Sequence, residues 1–280
     1  MRKPVPSLLL ALAGVACAPA AAAGDADYEA LVAAERAFAA MSPKAGVSAA
    51  FRAYIAPDAI MFRPGPVRAA DYYAVPASDA PILLDWAPER AEISASGDLG
   101  WTIGPALLRS KAEPDKAGGT HFFSIWQRNA AGEFRNVLDI GINHDPVPLS
   151  ENVVRHAPTR RDAPPLSQAA AAVRLQELLS ADRALAAKLA SADAAAAWRA
   201  VATDDAIVLR NGSVPLMGAE AAAKIARVPA TDLASLRLAA AGDLGATAGW
   251  GGDPAKPHVY QRAWRHVDGA WRVVVDLAIP

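Results

Sequence analysis

Three stretches of this sequence recur, in the same order, in its second half. Pro57-Asp-Ala-Ile-Met-Phe-Arg-Pro-Gly-Pro-Val67 answers Asp204-Asp-Ala-Ile-Val-Leu-Arg-Asn-Gly-Ser-Val214, and Ser96-Gly-Asp-Leu-Gly100 answers Ala241-Gly-Asp-Leu-Gly245. His121 to Ile142 lies without a gap on His258 to Ile279, keeping among others Arg128/Arg265, Gly132/Gly269, Arg135/Arg272 and Asp139/Asp276. Ordered self-similarity marks a repeated structural unit, so the chain must fold twice on one plan. Its 280 residues suit two domains of about 100 to 150 residues each.

The elements follow from apolar spacing and from Pro and Gly. A helix is expected from Asp27 to Met41, and a second carries Val47, Ala50, Phe51, Tyr54 and Ile55 at helical spacing before Pro57. Extended segments come next: Ala59 to Arg63, Ile82 to Ser94 with Pro88 interrupting, Gly100 to Arg109, Thr120 to Arg128, and Phe134 to Ile142. After the linker a helix carrying Leu175, Leu178, Leu179, Leu185 and Leu189 opens the same order again. Helices followed by strands in each half give an α+β class, with each unit packing N-terminal helices on an antiparallel sheet.

Residues 1–23 read as a secretory signal. Arg2 and Lys3 start it, Ser7 to Ala16 form its apolar core, and Ala20 to Ala23 supply the small residues of a cleavage site. Cys17 offers an alternative, a lipid anchor, although Gly14 stands where such a signal usually has Leu. The expected location is periplasmic or secreted, with no membrane span. The first unit is placed at 24–144, a proline-rich linker at 145–166 (Pro146, Pro148, Pro158, Pro164, Pro165), and the second unit at 167–280. Two such units in one chain would form an intramolecular pseudo-dimer, leaving the protein a monomer.

Several chemistries are excluded on composition and spacing. Cys17 is the only cysteine, so a chain cut after Ala23 has no disulfide or thiolate chemistry. A formal net charge of −1 gives no basic excess for nucleic acid, and Arg155, Arg160 and Arg161 read as a solvated part of the linker. His121, His144, His156, His258 and His266 show no metal-ligand spacing, and neither a Gly-x-Ser-x-Gly nor a phosphate-cradling glycine loop is present. The expectation is no metal and no cofactor.

Acid/base chemistry remains, because it needs only a pocket that desolvates a titratable group. Asp139 and Asp276 are lone carboxylates in apolar strands, where an aspartate is costly unless bonded or useful. Asp139 is the candidate catalytic group, with His121 at the start of the preceding strand assisting. The structural alternative has each Asp bind a backbone amide or pair with Arg135 or Arg272. Phe62, Trp86, Trp101, Phe123 and Trp126 are the candidate ligand-binding aromatics; in the second half Ala246 and Ala263 align with Trp101 and Trp126. Asp58, Asp205, Asp98 and Asp243 read as local turn or capping carboxylates.

The words Glu35-Arg-Ala-Phe, Pro57-Asp-Ala-Ile, Trp86-Ala-Pro, Ser96-Gly-Asp-Leu-Gly-Trp101, Ser124-Ile-Trp126 and Val137-Leu-Asp-Ile140 resemble the nuclear transport factor 2-like superfamily, in particular its SnoaL-like and ketosteroid isomerase-like bacterial branch. The resemblance implies two cones, each a strongly bent sheet wrapped on helices around a small apolar pocket. It also implies a choice of functions: binding of a small, partly apolar ligand, a cofactor-free isomerase, dehydratase or hydrolase, or a non-catalytic structural or partner-binding role. The first unit, richer in aromatics, is expected to hold the open pocket.

Overall fold

The computed structural model describes residues 23–74, 82–157, 163–191, 193–218, 221, 224–225, 231–253 and 256–279. The signal segment, Cys17, Arg160 and Arg161 lie outside them. The first half runs α1 (Ala23–Ala45), α2 (Val47–Tyr54), β1 (Ile55–Phe62), β2 (Pro66–Arg68), α3 (Ala69–Ala74), β3 (Ile82–Trp86), β4 (Arg90–Ile93), β5 (Leu99–Ser110), β6 (Glu113–Arg128), β7 (Phe134–His144) and β8 (Val154–Arg155). The second runs α4 (Gln168–Ser191), α5 (Ala194–Arg199), β9 (Ala202–Leu209), β10 (Leu216–Met217), β11 (Thr231–Leu238), β12 (Leu244–Asp253), β13 (Lys256–Val267) and β14 (Ala270–Ile279).

The α+β class holds, with two strongly curved sheets. Their orders are β2-β1-β7-β6-β5-β4-β8, with β3 also on β5, and β10-β9-β14-β13-β12-β11. Neither sheet is wholly antiparallel: β1 runs parallel to β7, and β9 to β14. β1 and β7 are neighbours in the sheet but far apart in sequence, so a long crossover rather than a hairpin joins them and allows them to run parallel. The loop expected at 145–166 is also partly ordered into the first sheet, where β8 runs parallel to β4.

Each sheet has two packed faces. Along β6, Phe122 and Trp126 belong with Leu31 and Phe38 of α1, while Phe123 and Ile125 belong with Trp101 and Ile103 against Ile207, Ala246, Val259 and Leu277 of the second half. Strand alternation makes both faces apolar, one for the helices and one for the other sheet. The second sheet does likewise, placing Trp264 and Trp271 with Leu178, Leu185 and Leu189 of α4.

Polar bonds fix how the halves meet. Gln261 Nε2 donates to the Phe123 carbonyl at 2.9 Å, Arg265 donates to both Glu92 oxygens at 2.7 and 2.8 Å, and Asn211 Oδ1 accepts from the Asn143 amide at 2.9 Å. The carboxylates read as local caps also act as cross-links, Asp98 while accepting from Ser94 and Ser96 in its own turn. Asp98 accepts from the Ala240 amide and Asp243 from the Ala95 amide, while Asp58 pairs with Arg237 and Asp205 with His156. Gly97 and Gly242 give the reason: both sit at φ 68°, turning the chain so that the next Asp points outward. His156, expected in an open linker, is buried with its ring 5.1 Å from that of Trp101.

The candidate acid/base site and its counterpart

Asp139 lies on β7 directly opposite Ser124 of β6, whose Oγ donates to its Oδ2 at 2.7 Å. Burial pushes its carboxyl up to about 6, and the Ser124 hydrogen bond, Arg63 and Asn136 oppose that rise. The carboxyl is half-buried: one side borders a cavity of about 40 Å³ among Phe51, Ile55, Met61, Tyr73 and Asn136, and the other reaches a cleft of about 630 Å³. The small cavity is of a size for a water or two. The cleft is of a size for a ligand.

A second carboxylate stands deeper on the same inner side. Glu35 falls on the apolar stripe of α1, between Leu31 and Phe38 at helical spacing, and is fully buried. Trp86 Nε1 donates to its Oε1 at 2.6 Å, and Thr102 Oγ1 and Trp126 Nε1 donate to its Oε2 at 2.6 and 2.9 Å. Burial nevertheless raises its pKa to about 7, and the Asp139 charge adds to the rise. Sequence reasoning passed over this residue. Its signal was a further matched word, Glu35-Arg-Ala-Phe38 against Asp182-Arg-Ala-Leu185, which keeps a carboxylate where a helix should be apolar.

The second half repeats the frame with different chemistry. Asp276 of β14 lies opposite Arg262 of β13, as Asp139 lies opposite Ser124. Arg262 Nε donates to Asp276 at 2.9 Å and its Nη1 to Asp182 at 2.9 Å, while Arg210 Nη2 closes on Asp276 at 2.7 Å. Burial alone would raise the Asp276 pKa, but Arg210 and Arg262 outweigh it and hold the group below its usual value. Asp182 also accepts from Thr247 and from the Tyr260 hydroxyl. Arg262 therefore bridges two carboxylates here, with Arg210 as a second cation on Asp276, whereas between Glu35 and Asp139 a serine stands in the place of Arg262.

These pairings correct the gap-free alignment. The β13–β14 hairpin turns through Asp268-Gly269, whereas β6 and β7 are joined by the longer loop Asn129–Glu133. Taken with the strand registers, the counterpart of Trp126 is Trp264 rather than Ala263, and Trp264 Nε1 donates to Thr247 as Trp126 donates to Thr102. Ala246 does stand opposite Arg237 as Trp101 stands opposite Glu92, so that replacement is real.

The structure separates the two residues expected to act together. His121 pairs with Ile142, three positions from the Ser124–Asp139 pair and on the other face of the sheet. Its Nδ1 shares a hydrogen bond with His144 Nε2 at 2.5 Å, and its Nε2 lies 3.5 Å from Glu89. Nor do the expected arginines reach the aspartates: Arg135 pairs with Glu133, and Arg272 donates to the Ala200 carbonyl.

Of the five candidate ligand-binding aromatics, Phe62 alone lines the cleft. Trp86 and Trp126 are buried around Glu35, and Trp101 and Phe123 face the second sheet. The open pocket expected wholly within the first unit is replaced by the small cavity, because Phe38, Phe51, Tyr54, Trp86 and Trp126 pack edge to face and fill the cone. The larger cleft takes Phe62, Arg63, Pro64, Asp139, Ile140 and Gly141 from the first half and residues 256–259 and Ile279 from the second. No group of three or more potential ligand side chains among the described residues could hold a metal ion. No helix among them is long and apolar enough to cross a membrane.

No protein-family model matches this chain, and no curated protein does. Solved structures similar to it include a ketosteroid isomerase-like protein from Erwinia carotovora atroseptica, 14% identical, with 43% of this chain and 98% of that one covered at a TM-score of 0.35. A nuclear transport factor 2-like protein of unknown function from Pseudomonas putida is 19% identical over 41% of this chain and 88% of its own, with a TM-score of 0.32. A DUF3225-family protein of unknown function from Pectobacterium atrosepticum is 16% identical over 39% and 91%, with a TM-score of 0.33. The likeness concerns fold over less than half of the chain and carries no chemistry.

Proposed function

We propose that this is an exported protein of two diverged nuclear transport factor 2-like units, which holds a small, partly apolar molecule in the cleft at Asp139. The reading of two copies is supported by the matched words, the shared strand order from β1 to β7 and from β9 to β14, and the equivalent placing of Asp139 and Asp276. Export rests on the composition of residues 1–23, and N-terminal sequencing of envelope material tests it: a mature start near Gly24, or at Cys17 if lipidated, is expected, and an intact Met1 overturns it.

One observation carries the binding role. Asp139 has an opening beside it and a single hydroxyl on it, whereas Asp276 is fully buried between two guanidiniums. Among the described residues no cation is hydrogen-bonded to this carboxyl, which leaves it facing the cleft as a recognition group. Native mass spectrometry of the purified mature chain tests this. A retained small molecule that is lost in Asp139→Asn and kept in Asp276→Asn is the expected result; the reverse pattern sinks the reading.

A second reading, acid/base catalysis at the same site, is favoured by the Asp139 carboxyl at about 6, where both protonation states are populated near neutral pH. It separates from simple binding by turnover: a retained molecule that is converted, with a rate profile governed by a group near pH 6, belongs to an enzyme.

A further inference from the structure

We propose that the ligand of this cleft is an organic anion, a small apolar carboxylic acid whose carboxylate is gripped by Arg63, Lys256 and His258; the inference rests on the cleft being a ligand site. Among the described residues these three are the basic groups of the cleft wall, and Asp139 is its one carboxylate side chain. Between the polar groups, Phe62, Ile140, Val259 and Ile279 form apolar walls, which suit a hydrocarbon body rather than a sugar or a phosphate ester.

The contrast between Arg63 and Arg210 shows why the first arginine is available. Both follow the apolar residue that ends a strand, Phe62 of β1 and Leu209 of β9, and each donates its Nη1 to the carbonyl of that preceding residue, at 2.7 and 2.9 Å. Arg210 then commits further bonds to Asp276, one to its carbonyl and one to its carboxylate, both at 2.7 Å. Arg63 instead lies with its guanidinium 5.4 Å over the exposed Tyr72 ring, hydrogen-bonded to Tyr73, and acts on Asp139 only through its charge, leaving the hydrogen bond to Ser124. Its planar fork can therefore turn to a carboxylate in the cleft, the geometry for which arginine is suited.

Asp139 can join the grip by taking up a proton as the anion binds. A carboxyl whose charged form is disfavoured by burial accepts that proton readily and donates it to one oxygen of the incoming carboxylate. Lys256 and His258 come from the second half, so the anion is held between the two halves of the chain. That arrangement gives the second unit a part in recognition although its own aspartate is locked.

Isothermal titration calorimetry of the full mature chain with octanoate, octanol and octylamine tests the charge requirement. Octanoate is expected to bind about tenfold more tightly than octanol, with octylamine weaker still. Arg63→Gln and Lys256→Gln should each weaken octanoate by about fivefold to tenfold while leaving octanol unchanged; both side chains are exposed, so folding is retained. Octanol or octylamine binding as tightly as octanoate overturns the inference and leaves the cleft a ligand site. Failure of all three probes overturns the inference as well, and the retained-molecule experiment then judges the site independently.

Discussion

Asp98 and Asp243 exchange roles across the interface: Asp98 accepts the amide of Ala240 at 3.0 Å, and Asp243 accepts the amide of Ala95 at 2.8 Å. Each carboxylate thus caps the other half's turn. Asp98→Ala leaves the Ala240 amide without its acceptor and should destabilise the chain by about 1 to 3 kcal/mol, as expected for a hydrogen bond to a charged group. Urea denaturation measures it; a loss within experimental error would mean that water replaces the contact.

Asp139 and Asp276 should respond oppositely to one substitution. Asp276→Asn leaves the Arg262 guanidinium, 2% exposed, with one of its two counter-charges removed, and should cost about 3 to 5 kcal/mol. Asp139→Asn relieves a desolvated carboxyl and should stay within about 1 kcal/mol of wild type. Denaturation midpoints of the two variants decide it, and equal losses would contradict the asymmetry.

Arg262→Met tests the same site from the other side. Removing the cation leaves Asp182 and Asp276 facing each other, buried, with only neutral partners and Arg210. A loss of about 3 to 5 kcal/mol is expected at neutral pH. The deficit should shrink in acid, where Asp276, relieved of the Arg262 charge that holds its pKa down, takes up a proton. Thermal unfolding at pH 7 and pH 5 reads both effects.

His156 predicts an acid limb of the stability profile. Burial lowers its pKa from 6.5 to about 4, with Asp205 opposing and Arg265 and Arg90 adding to the fall. The unfolded chain then binds the proton more tightly than the folded one. The contribution is complete above pH 6.5 and is lost as pH falls through 4, by at most about 3 kcal/mol. His156→Phe keeps a ring against Trp101 and should flatten this limb in denaturation measured from pH 7 to pH 4; an unchanged slope would assign the limb to other groups.

The reading of two units predicts that a chain divided in the linker yields halves that associate or are poorly soluble. Each would expose the apolar outer face that Trp101, Phe123 and Ile125, or Ala246, Val259 and Leu277, now cover. Co-purification of separately tagged halves tests this, and two stable, separate monomers would contradict it.

The strands and helices were legible in the sequence because period-two and period-3.6 patterns are local, and Pro88 falls between β3 and β4 as expected, whereas the second helix already ends at Tyr54 and Pro57 lies inside β1. What was not legible depends on register and on contact between distant segments. Deleting one residue between Arg128 and Phe134 moves Trp126 onto Trp264, and no gap-free alignment contains that step. The same step hides that Ser124 and Arg262 share a position, which is the difference between the two aspartates. Asp98 and Asp243 looked like turn caps because the residues that use them lie more than a hundred positions away. Phe62 and Asp139 were found by residue type alone; Glu35, fully buried in a helix, was overlooked because a carboxylate in a helix usually faces water.

The β8 segment sets an order of events during synthesis. Val154 donates its amide to Glu89 at 2.7 Å and His156 its amide to Ala91 at 2.9 Å, so the edge of the first sheet is completed by residues that leave the ribosome before any of α4. From then until β12, β13 and β14 are made, a nearly finished first unit carries Trp101, Phe123 and Ile125 uncovered, and His156 waits for Asp205. The nascent chain is at its stickiest in that interval, when its first half is already folded.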